Sequence, residues 1–205
     1  MRLLILGAGG FAKEVADLVL STGHEIAGFY EERETGRDRP PHDAPLFDRI
    51  PDSGYDGMVV GVGDTALRRR FYEGLSADHP FPVLIHPSAC VSSFARIGEA
   101  SLVMQGCVVS ADAHVGENAL LNVGCYVAHD CRVGDHVHLA AAVMLGGWVH
   151  VGTGALCGTA TVVLPRQQVG AWSVCGAGSV VVADVPDGVL AVGVPARVER
   201  KIYDA

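Results

Sequence analysis

The sequence predicts a small α/β unit followed by a solenoid of very short β-strands. Two observations support this fold class. From Val91 to Val181 every sixth residue is aliphatic or, in two places, cysteine, and the position four residues later is almost always small or β-branched. The preceding part instead alternates between strand-like apolar runs and a helix-like stretch. We therefore predict two domains, residues 1–80 and residues 81–205.

The first domain is predicted to be a Rossmann-like unit. MRLLIL is a short buried strand, and the glycine turn GAGGFA at residues 7–12 matches G-x-G-x-x-G/A before a stretch with helical spacing. EIAGFYEE and GMVVGVGD are further strands, which end in Glu31, Glu32 and Asp64, and a polar proline-containing loop at residues 32–45 separates them. Strands that alternate with a helix indicate a parallel sheet.

The glycine turn is compatible with more than one ligand. A dinucleotide fingerprint would place pyrophosphate at the helix N-terminus, with an acidic residue about 20 positions later against the ribose. Glu31 and Glu32 have this spacing. The unit is nevertheless too small for a complete dinucleotide-binding domain, and no hydride-transfer residues follow it. The spacing alone leaves the ligand open.

The second domain has a repeat that neither helices nor hairpins show. A period of six differs from the 3.6 residues of a helix and from the plain alternation of a strand. It indicates short strands joined by tight corners, in which one residue per side fills a narrow core. Glycine often follows the aliphatic residue, as at Gly98, Gly116 and Gly134.

Composition and charge narrow the classes of partner. With 49% hydrophobic and 19% charged residues, the chain has a globular composition. Its formal net charge of -8 disfavours nucleic acid or an anionic membrane as partner, so a small-molecule substrate is expected. No apolar run approaches the roughly 18 residues of a membrane span. The N-terminal apolar run is too short for an export signal, and a cytoplasmic location is expected.

Motifs along nearly the whole chain resemble those of one family of bacterial sugar acyltransferases. In chain order they are GAGGFAKEV, GFYEE, VVGVGDTALRR, LIHPSA, VAHDCRVGDHVH and GVPAR. This family of hexapeptide-repeat transferases is typified by sialic acid O-acetyltransferases and by N-acetyltransferases of UDP-linked 4-amino sugars. The resemblance implies a left-handed parallel β-helix with eighteen residues per coil, so that Val91 and Val181 are five coils apart. It also implies a homotrimer with active sites between subunits.

The resemblance further implies transfer of acetyl from acetyl-CoA, without a metal. The family places its general base in an H-[DE]-C step, which His129, Asp130 and Cys131 match. Imidazole suits proton transfer near neutral pH. His129 would take a proton from the acceptor as it attacks the thioester. Asp130 would orient the ring or, with equal weight, cap a turn of the solenoid.

The resemblance also assigns residues to the two ligands. Contacts to the nucleotide sugar are expected from Gly7, Gly9, Gly10, Phe11, Glu31, Glu32, Asn122 and His138. Contacts to CoA are expected from His138, Gly146, Gly147 and Arg197, with a backbone N–H of one of the two glycines as oxyanion donor. Neither His129 nor His138 falls in an inward slot, so both are expected on the outside, where a neighbouring subunit can meet them. Amino-sugar members of the family have histidine at the position of Phe11, which leaves the acceptor open.

Rival chemistries are weaker but remain alternatives. Cys131 could be a nucleophile, yet it lies in a small inward slot, where a thiol is inert. His114 and His150 are two coils apart and could stack around zinc, but the third position expected from the γ-class carbonic anhydrases, which share this fold, is Ala155. N-acetylation of a nucleotide-linked amino sugar is therefore the leading hypothesis. O-acetylation of sialic acid or a related sugar, and a non-catalytic trimeric scaffold, are the alternatives.

Overall fold

The computed structural model describes residues 1–32 and 43–202 of the chain. A small α/β unit is followed by a solenoid of stacked parallel strands, which confirms the predicted fold class. Residues 33–42 of the predicted polar loop lie outside the described residues. The boundary between residues 80 and 81 stays a prediction.

The α/β unit is a four-stranded parallel sheet with two helices. Its elements are β1 (Arg2–Leu6), α1 (Gly10–Ser21), β2 (Glu25–Tyr30), β3 (Leu46–Phe47), β4 (Gly57–Val60) and α2 (Thr65–Leu75). The strand order is β3-β2-β1-β4. All four residues of β1 after Arg2 are fully buried, as expected for a central parallel strand covered on both faces. The elements β3 and α2 are additional to those predicted.

The helix α2 begins where a polar side chain caps it. Asp64 is the N-cap residue, and its Oδ1 accepts a hydrogen bond of 2.7 Å from the backbone N–H of Leu67. This bond satisfies one of the free N–H groups of the first turn. From the sequence, Asp64 is predicted only as the end of a strand. The pattern D-T-A-L before three arginines is also typical of a helix start.

The solenoid has three faces. Face 1 contains β5 (Leu84–Ile85), β8 (Leu102–Val103), β11 (Leu120–Leu121), β14 (His138–Leu139), β17 (Leu156–Cys157), β20 (Val174–Cys175), β22 (Val189–Val192) and the antiparallel β23 (Arg197–Lys201). Face 2 contains β6 (Cys90–Val91), β9 (Val108–Val109), β12 (Tyr126–Val127), β15 (Met144–Leu145), β18 (Val162–Val163) and β21 (Val180–Val181). Face 3 contains β7 (Arg96–Ile97), β10 (His114–Val115), β13 (Arg132–Val133), β16 (His150–Val151) and β19 (Gln168–Val169).

From β8 to β21 the second residue of each solenoid strand fills the core. From Val103 to Val181 these residues are at most 3% exposed, including both cysteines of the repeat. Strands pair in register with the strand eighteen residues away, as His114 does with Arg132. Val91 and Val181 end the six-stranded face, five coils apart, as predicted. The solenoid also extends beyond both of them, through β5 and β22.

Between the faces run three edges, each a column of residues in the left-handed conformation. Edge 1–2 carries Gly106, Gly124, Ala142, Ala160 and Gly178. Edge 2–3 carries Asp112, Asp130, Trp148 and Arg166. Edge 3–1 carries Ala100, Asn118, His136, Gly154 and Trp172. The three edges therefore share a backbone shape but differ in side-chain chemistry.

The α/β unit packs against face 1 and edge 3–1. Leu3 and Ile5 share one buried cluster with Leu84, Leu102 and Leu120 of face 1. This packing covers face 1 with the chain's own first unit. In a three-sided prism, edge 2–3 lies opposite face 1, so it stays on the side away from the α/β unit.

The helix α2 follows edge 3–1. Arg68 donates hydrogen bonds to Asn118, and the guanidinium of Arg69 lies 5.5 Å from the ring centroid of Trp172. Glu73 lies 3.7 Å from Nε2 of His136. The helix therefore contacts edge 3–1 at several coils of the solenoid.

Candidate active site

His129 and Asp130 form a pair on edge 2–3, directly after β12. Nδ1 of His129 lies 2.8 Å from Oδ2 of Asp130. When Nδ1–H donates to this carboxylate, Nε2 is left as the proton acceptor, which is the form that a general base needs. The His129 side chain is 49% exposed, so an acceptor can reach Nε2. Asp130 has φ 59, so it serves both as the corner residue and as the partner of the imidazole.

The ring of His129 rests on the next coil. A Cβ placed on Gly147 would lie 2.7 Å from Cε1 and 2.8 Å from Nε2 of His129, closer than side chains tolerate. Trp148 packs edge-on against the same imidazole, with ring centroids 4.4 Å apart. The guanidinium of Arg166 in turn lies 4.4 Å from the Trp148 ring. Sequence reasoning missed Trp148 and Arg166, although steps of eighteen residues from Asp130 lead to both.

Gly146 has a different role from the one expected. Its backbone N–H donates to the carbonyl of Val163 at 2.9 Å, and a Cβ at this position would meet Pro165 at 2.7 Å. The N–H is thus used by the strand ladder and cannot serve as an oxyanion donor, which corrects that expectation for Gly146. Gly147 remains the candidate.

Cys131 lies in the core, as the repeat predicts. It is fully buried, and its Sγ donates to the carbonyl of Gly146 at 3.1 Å. Burial raises the pKa of the Cys131 thiol, which opposes formation of the nucleophilic thiolate. This environment disfavours an acyl-cysteine mechanism.

His138 points outward from face 1, but the chain's own α/β unit covers it. Its Nδ1 lies 2.8 Å from the carbonyl oxygen of Gly63, and its ring centroid is 6.4 Å from that of Phe11. Burial lowers the pKa of His138 to about 4. Its Nε2 is buried without a hydrogen-bond partner among the described residues. His138 therefore points outward, as predicted, but the chain's own α/β unit covers it, so it is not exposed to a neighbouring subunit as expected.

The glycine turn lies at the carboxyl edge of the sheet, where parallel α/β units bind ligands. Gly7 has φ 110, and a Cβ there would meet Val62 at 2.7 Å, so the turn requires glycine. The helix α1 follows with Gly9 as its N-cap residue and Gly10 as its first residue, without a side-chain cap.

The acidic pair after β2 contacts this edge. Oε2 of Glu31 accepts a hydrogen bond of 3.0 Å from the N–H of Ala8, and Glu32 forms an ion pair with Arg70. A carboxylate thus occupies an N–H group that a pyrophosphate would use in the dinucleotide fingerprint. This arrangement disfavours the dinucleotide alternative.

The remaining predicted residues lie elsewhere on the solenoid. Asn122 follows β11 near edge 1–2, and its Oδ1 accepts from the N–H of Val123 at 2.7 Å. Arg197 is exposed at the start of β23 and donates to the carbonyl of Ala196 at 2.8 Å. The ligand contacts assigned to both stay predictions.

The histidines proposed for zinc stack on face 3 with an arginine between them. Arg132 pairs with His114 on one side and with His150 on the other. A cation in the middle of the stack disfavours a bound metal ion. Across residues 1–32 and 43–202, no group of three or more metal-ligating side chains could hold a metal.

In the same part of the chain no helix is both long and apolar enough to cross a membrane.

The predicted site residues thus form two clusters in one chain. His129, Asp130 and Gly147 meet on edge 2–3. The glycine turn, Phe11 and the acidic pair lie in the α/β unit, with His138 beneath them. Because edge 2–3 lies opposite the face that this unit covers, one chain does not bring the two clusters together.

Comparison with protein families identifies both parts of the chain. Residues 2–75 match the PglD N-terminal domain, and residues 112–147 match the bacterial transferase hexapeptide (six repeats). Among curated proteins, none matches the sequence significantly.

Solved structures match nearly the whole chain. One of them is a GDP-perosamine N-acetyltransferase from Caulobacter crescentus, solved in complex with CoA and GDP-perosamine as a variant in which one histidine is replaced by alanine. It is 35% identical to this chain, with a TM-score of 0.91 over 98% of both chains. The acetyltransferase domain of PglB from Neisseria gonorrhoeae FA1090 is 31% identical with a TM-score of 0.88, over 97% of this chain and 99% of that one. WeeI from Acinetobacter baumannii AYE is 25% identical with a TM-score of 0.86, over 97% of this chain and 100% of that one.

Proposed function

Since the chain belongs to the family of bacterial sugar acetyltransferases that join a PglD N-terminal domain to a hexapeptide-repeat domain, we propose that it N-acetylates a nucleotide-linked amino sugar with acetyl-CoA. The observation that carries this proposal is the His129–Asp130 pair on edge 2–3, in which the carboxylate lies against Nδ1 of a half-exposed imidazole and leaves Nε2 as the proton acceptor. A relative with 35% identity, solved with CoA and GDP-perosamine, supports both substrate classes.

The proposed reaction is a direct transfer through one tetrahedral intermediate. The neutral amine of the sugar attacks the thioester carbonyl, and Nε2 of His129 takes the proton that the nitrogen loses. Collapse of the intermediate breaks the C–S bond, and the CoA thiolate recovers that proton from the imidazolium. Asp130 stabilises the imidazolium between these steps, and the N–H of Gly147 is the proposed donor to the oxyanion.

The acceptor is proposed to bind at the carboxyl edge of the α/β unit. The glycine turn of Gly7, Gly9 and Gly10 and the acidic pair Glu31 and Glu32 gather there. The aromatic ring of Phe11 lies beside the imidazole of His138, with ring centroids 6.4 Å apart. The same edge serves nucleotides in other parallel α/β folds.

A homotrimer is proposed because one chain separates its two clusters. The acceptor held by the α/β unit of one subunit would meet His129 of another. Face 2 supports such an assembly, because Val108, Tyr126 and Met144 expose 36%, 37% and 49% of their surface in one column. Apolar patches of this kind mark protein interfaces.

Acetyl-CoA is a cytoplasmic metabolite, so the cytoplasm is the proposed location.

A thiol-release assay with acetyl-CoA tests this function. The acceptors are a panel of nucleotide-linked amino sugars and free sialic acid, and the matched variants are His129→Ala and Cys131→Ala. Loss of the general base should lower kcat by about 10²–10⁴-fold in His129→Ala, whereas Cys131→Ala should keep near wild-type activity.

The other outcomes distinguish the alternatives. Full activity of His129→Ala would exclude the proposed base. Turnover of sialic acid alone would establish O-acetylation. No turnover with any acceptor, together with no binding of acetyl-CoA in calorimetry, would establish a non-catalytic scaffold.

A further inference from the structure

Arg68 is a buried cation without an anionic partner among residues 1–32 and 43–202. This α2 residue is 0% exposed, and its described hydrogen-bond partners are carbonyl oxygens of the backbone and of an asparagine. Burial lowers the pKa of Arg68 to about 9, so the guanidinium is still charged at neutral pH. A buried charge without a counter-ion is costly. Packing of α2 against the solenoid does not by itself require a buried arginine, because neutral side chains can also pack a helix against a neighbouring element.

The bonds of Arg68 converge on the surroundings of His138. Nη1 donates to the carbonyls of Val60 and Val62, at 3.0 Å and 3.1 Å. Through these two bonds Arg68 holds the segment that leads to Gly63. The carbonyl of Gly63 accepts the 2.8 Å hydrogen bond from Nδ1 of His138. Arg68 therefore fixes the acceptor side of that bond.

The same guanidinium also holds the solenoid next to His138. Nη2 donates to the backbone carbonyl of Asn118 at 3.2 Å and to its Oδ1 at 3.0 Å. Asn118 is two residues before Leu120, which pairs with His138 on the neighbouring strand. One side chain thus clamps the segment Val60–Val62, which leads to the carbonyl that orients the imidazole, against the coil beside His138.

This clamp determines the hydrogen-bonding character of His138. A carbonyl oxygen can only accept, so the neutral ring must carry its proton on Nδ1 and present Nε2 as an acceptor. Nε2 is buried and lacks a partner among the described residues. A buried acceptor without a donor is unfavourable, so the site is built for a ligand that brings one.

Charge favours the same form of the ring. Burial is the largest cause of the low pKa of His138; the positive charge of Arg68 lowers it further, and the Gly63 carbonyl opposes both. The strand neighbours of His138, Leu120 and Leu156, and the nearby ring of Phe11 carry no charge. The imidazole is therefore neutral at the pH of a cell.

We propose that Arg68 is a positioning residue that fixes His138 as a neutral imidazole whose Nε2 accepts a hydrogen bond from a hydroxyl or amino group of the acceptor sugar. Arg68 itself touches no ligand. The proposal rests on the proposed function, because it takes a sugar as the ligand beside Phe11 and His138.

Nitrogen NMR of the imidazole rings in the full-length protein tests this proposal without requiring activity. The variant Arg68→Met removes the charge and the donors but keeps a long stem, and Arg68→Lys keeps the charge but loses the planar fork. Arg69→Met is the matched control, because this neighbour on α2 pairs with Glu73 on the surface. Thermal melting verifies that each variant is folded.

The wild-type protein and Arg69→Met should show one His138 tautomer, with the proton on Nδ1, and a titration midpoint near 4. Loss of the cation in Arg68→Met favours the imidazolium, so the midpoint should rise by about one unit, and the tautomers should mix. As pH falls from 7 towards 5, the variant then protonates first and loses its acceptor. Its KM for the nucleotide sugar should about double between pH 7 and pH 5, whereas that of Arg69→Met should rise by only about 10%, with a smaller change in kcat.

A folded Arg68→Met with the wild-type tautomer and midpoint would overturn the proposal. If that variant does not fold, Arg68→Lys decides: a mixture of tautomers supports the clamp, and the unchanged Nδ1–H form refutes it. A wild-type protein that shows the expected His138 signals but transfers no acetyl group would contradict the proposed function and support the clamp.

Discussion

Asp130 meets a backbone requirement and a chemical requirement at once. Asp130 has a positive φ at its corner of edge 2–3, and aspartate is among the side chains that tolerate this conformation best. From this conformation its carboxylate reaches Nδ1 of His129 at 2.8 Å. The two roles that the sequence left open, turn residue and partner of the base, are therefore both compatible with one conformation.

Gly147 offers a direct test of how closely the imidazole must be placed. Gly147→Ala would bring a methyl group within 2.7 Å of the His129 ring and displace it from the coil. Because misplacement of a catalytic group by about 1 Å can cost on the order of 10²-fold in rate, we expect a fall of that size in kcat, measured by thiol release.

The control for this change is Gly74→Ala, where an added Cβ meets nothing within 4 Å. It should leave kcat unchanged and slightly raise the melting temperature, since alanine favours a helix. Gly147→Ala with wild-type kcat would show that the ring is not held by this contact.

Individual side chains also show where sequence reasoning stops. The six-residue period separates inward from outward positions, and it correctly places Cys131 inside and His129 outside. It does not tell which outward residues another part of the chain will cover, because that depends on packing between distant segments. His138 and Arg68 meet their partners 75 and 50 residues away. Their roles required the structure.

Among the elements, α2 gives the clearest case of packing that local pattern does not reveal. Its three consecutive arginines have three different environments: Arg68 is buried, Arg69 pairs with Glu73, and Arg70 pairs with Glu32. In the sequence they are one basic run. The helix sorts them because neighbouring residues point about 100° apart, so only one of the three can face the core.

The solenoid strands, by contrast, follow their pattern closely enough for a matched test. Val162 and Val163 are neighbours in β18; Val163 is 1% exposed and Val162 is only partly buried. Val163→Thr would bury a hydroxyl in the core and should cost about 1–3 kcal/mol of unfolding free energy, whereas Val162→Thr should cost less than about 0.5 kcal/mol. Chemical denaturation measures both. Equal losses would contradict the assignment of inward and outward positions.

The molecule as a whole separates the proposed base from the α/β unit that is proposed to bind the acceptor. Face 1 carries the α/β unit, and edge 2–3, with His129, lies on the far side of the prism. Under the proposed function, a single subunit would therefore hold halves of two different sites. Completion by a neighbouring subunit accounts for this geometry without any movement of the α/β unit.

Mixed oligomers test this arrangement. His129→Ala and His138→Ala should each be inactive alone, but co-assembled subunits would form some sites with an intact His129 from one subunit and an intact His138 from the other. With random mixing, about a quarter of the sites are intact, so about a quarter of wild-type activity should return in the thiol-release assay.

The control mixes His129→Ala with Gly147→Ala, which damage the same edge. No intact site can arise from that pair, and activity should stay low. If co-assembled His129→Ala and His138→Ala subunits recover no activity, each site draws its residues from a single chain.

The three edges of the solenoid suggest how such an enzyme can diversify. A residue's place within its eighteen-residue coil determines whether it joins the smooth glycine and alanine edge, the edge with the base, or the edge along α2. Residues of one edge are neighbours in space mainly of other residues of the same edge. A substitution in one edge therefore has little direct effect on the other two. The edge with the proposed base and the edge along α2 can thus evolve separately within one backbone.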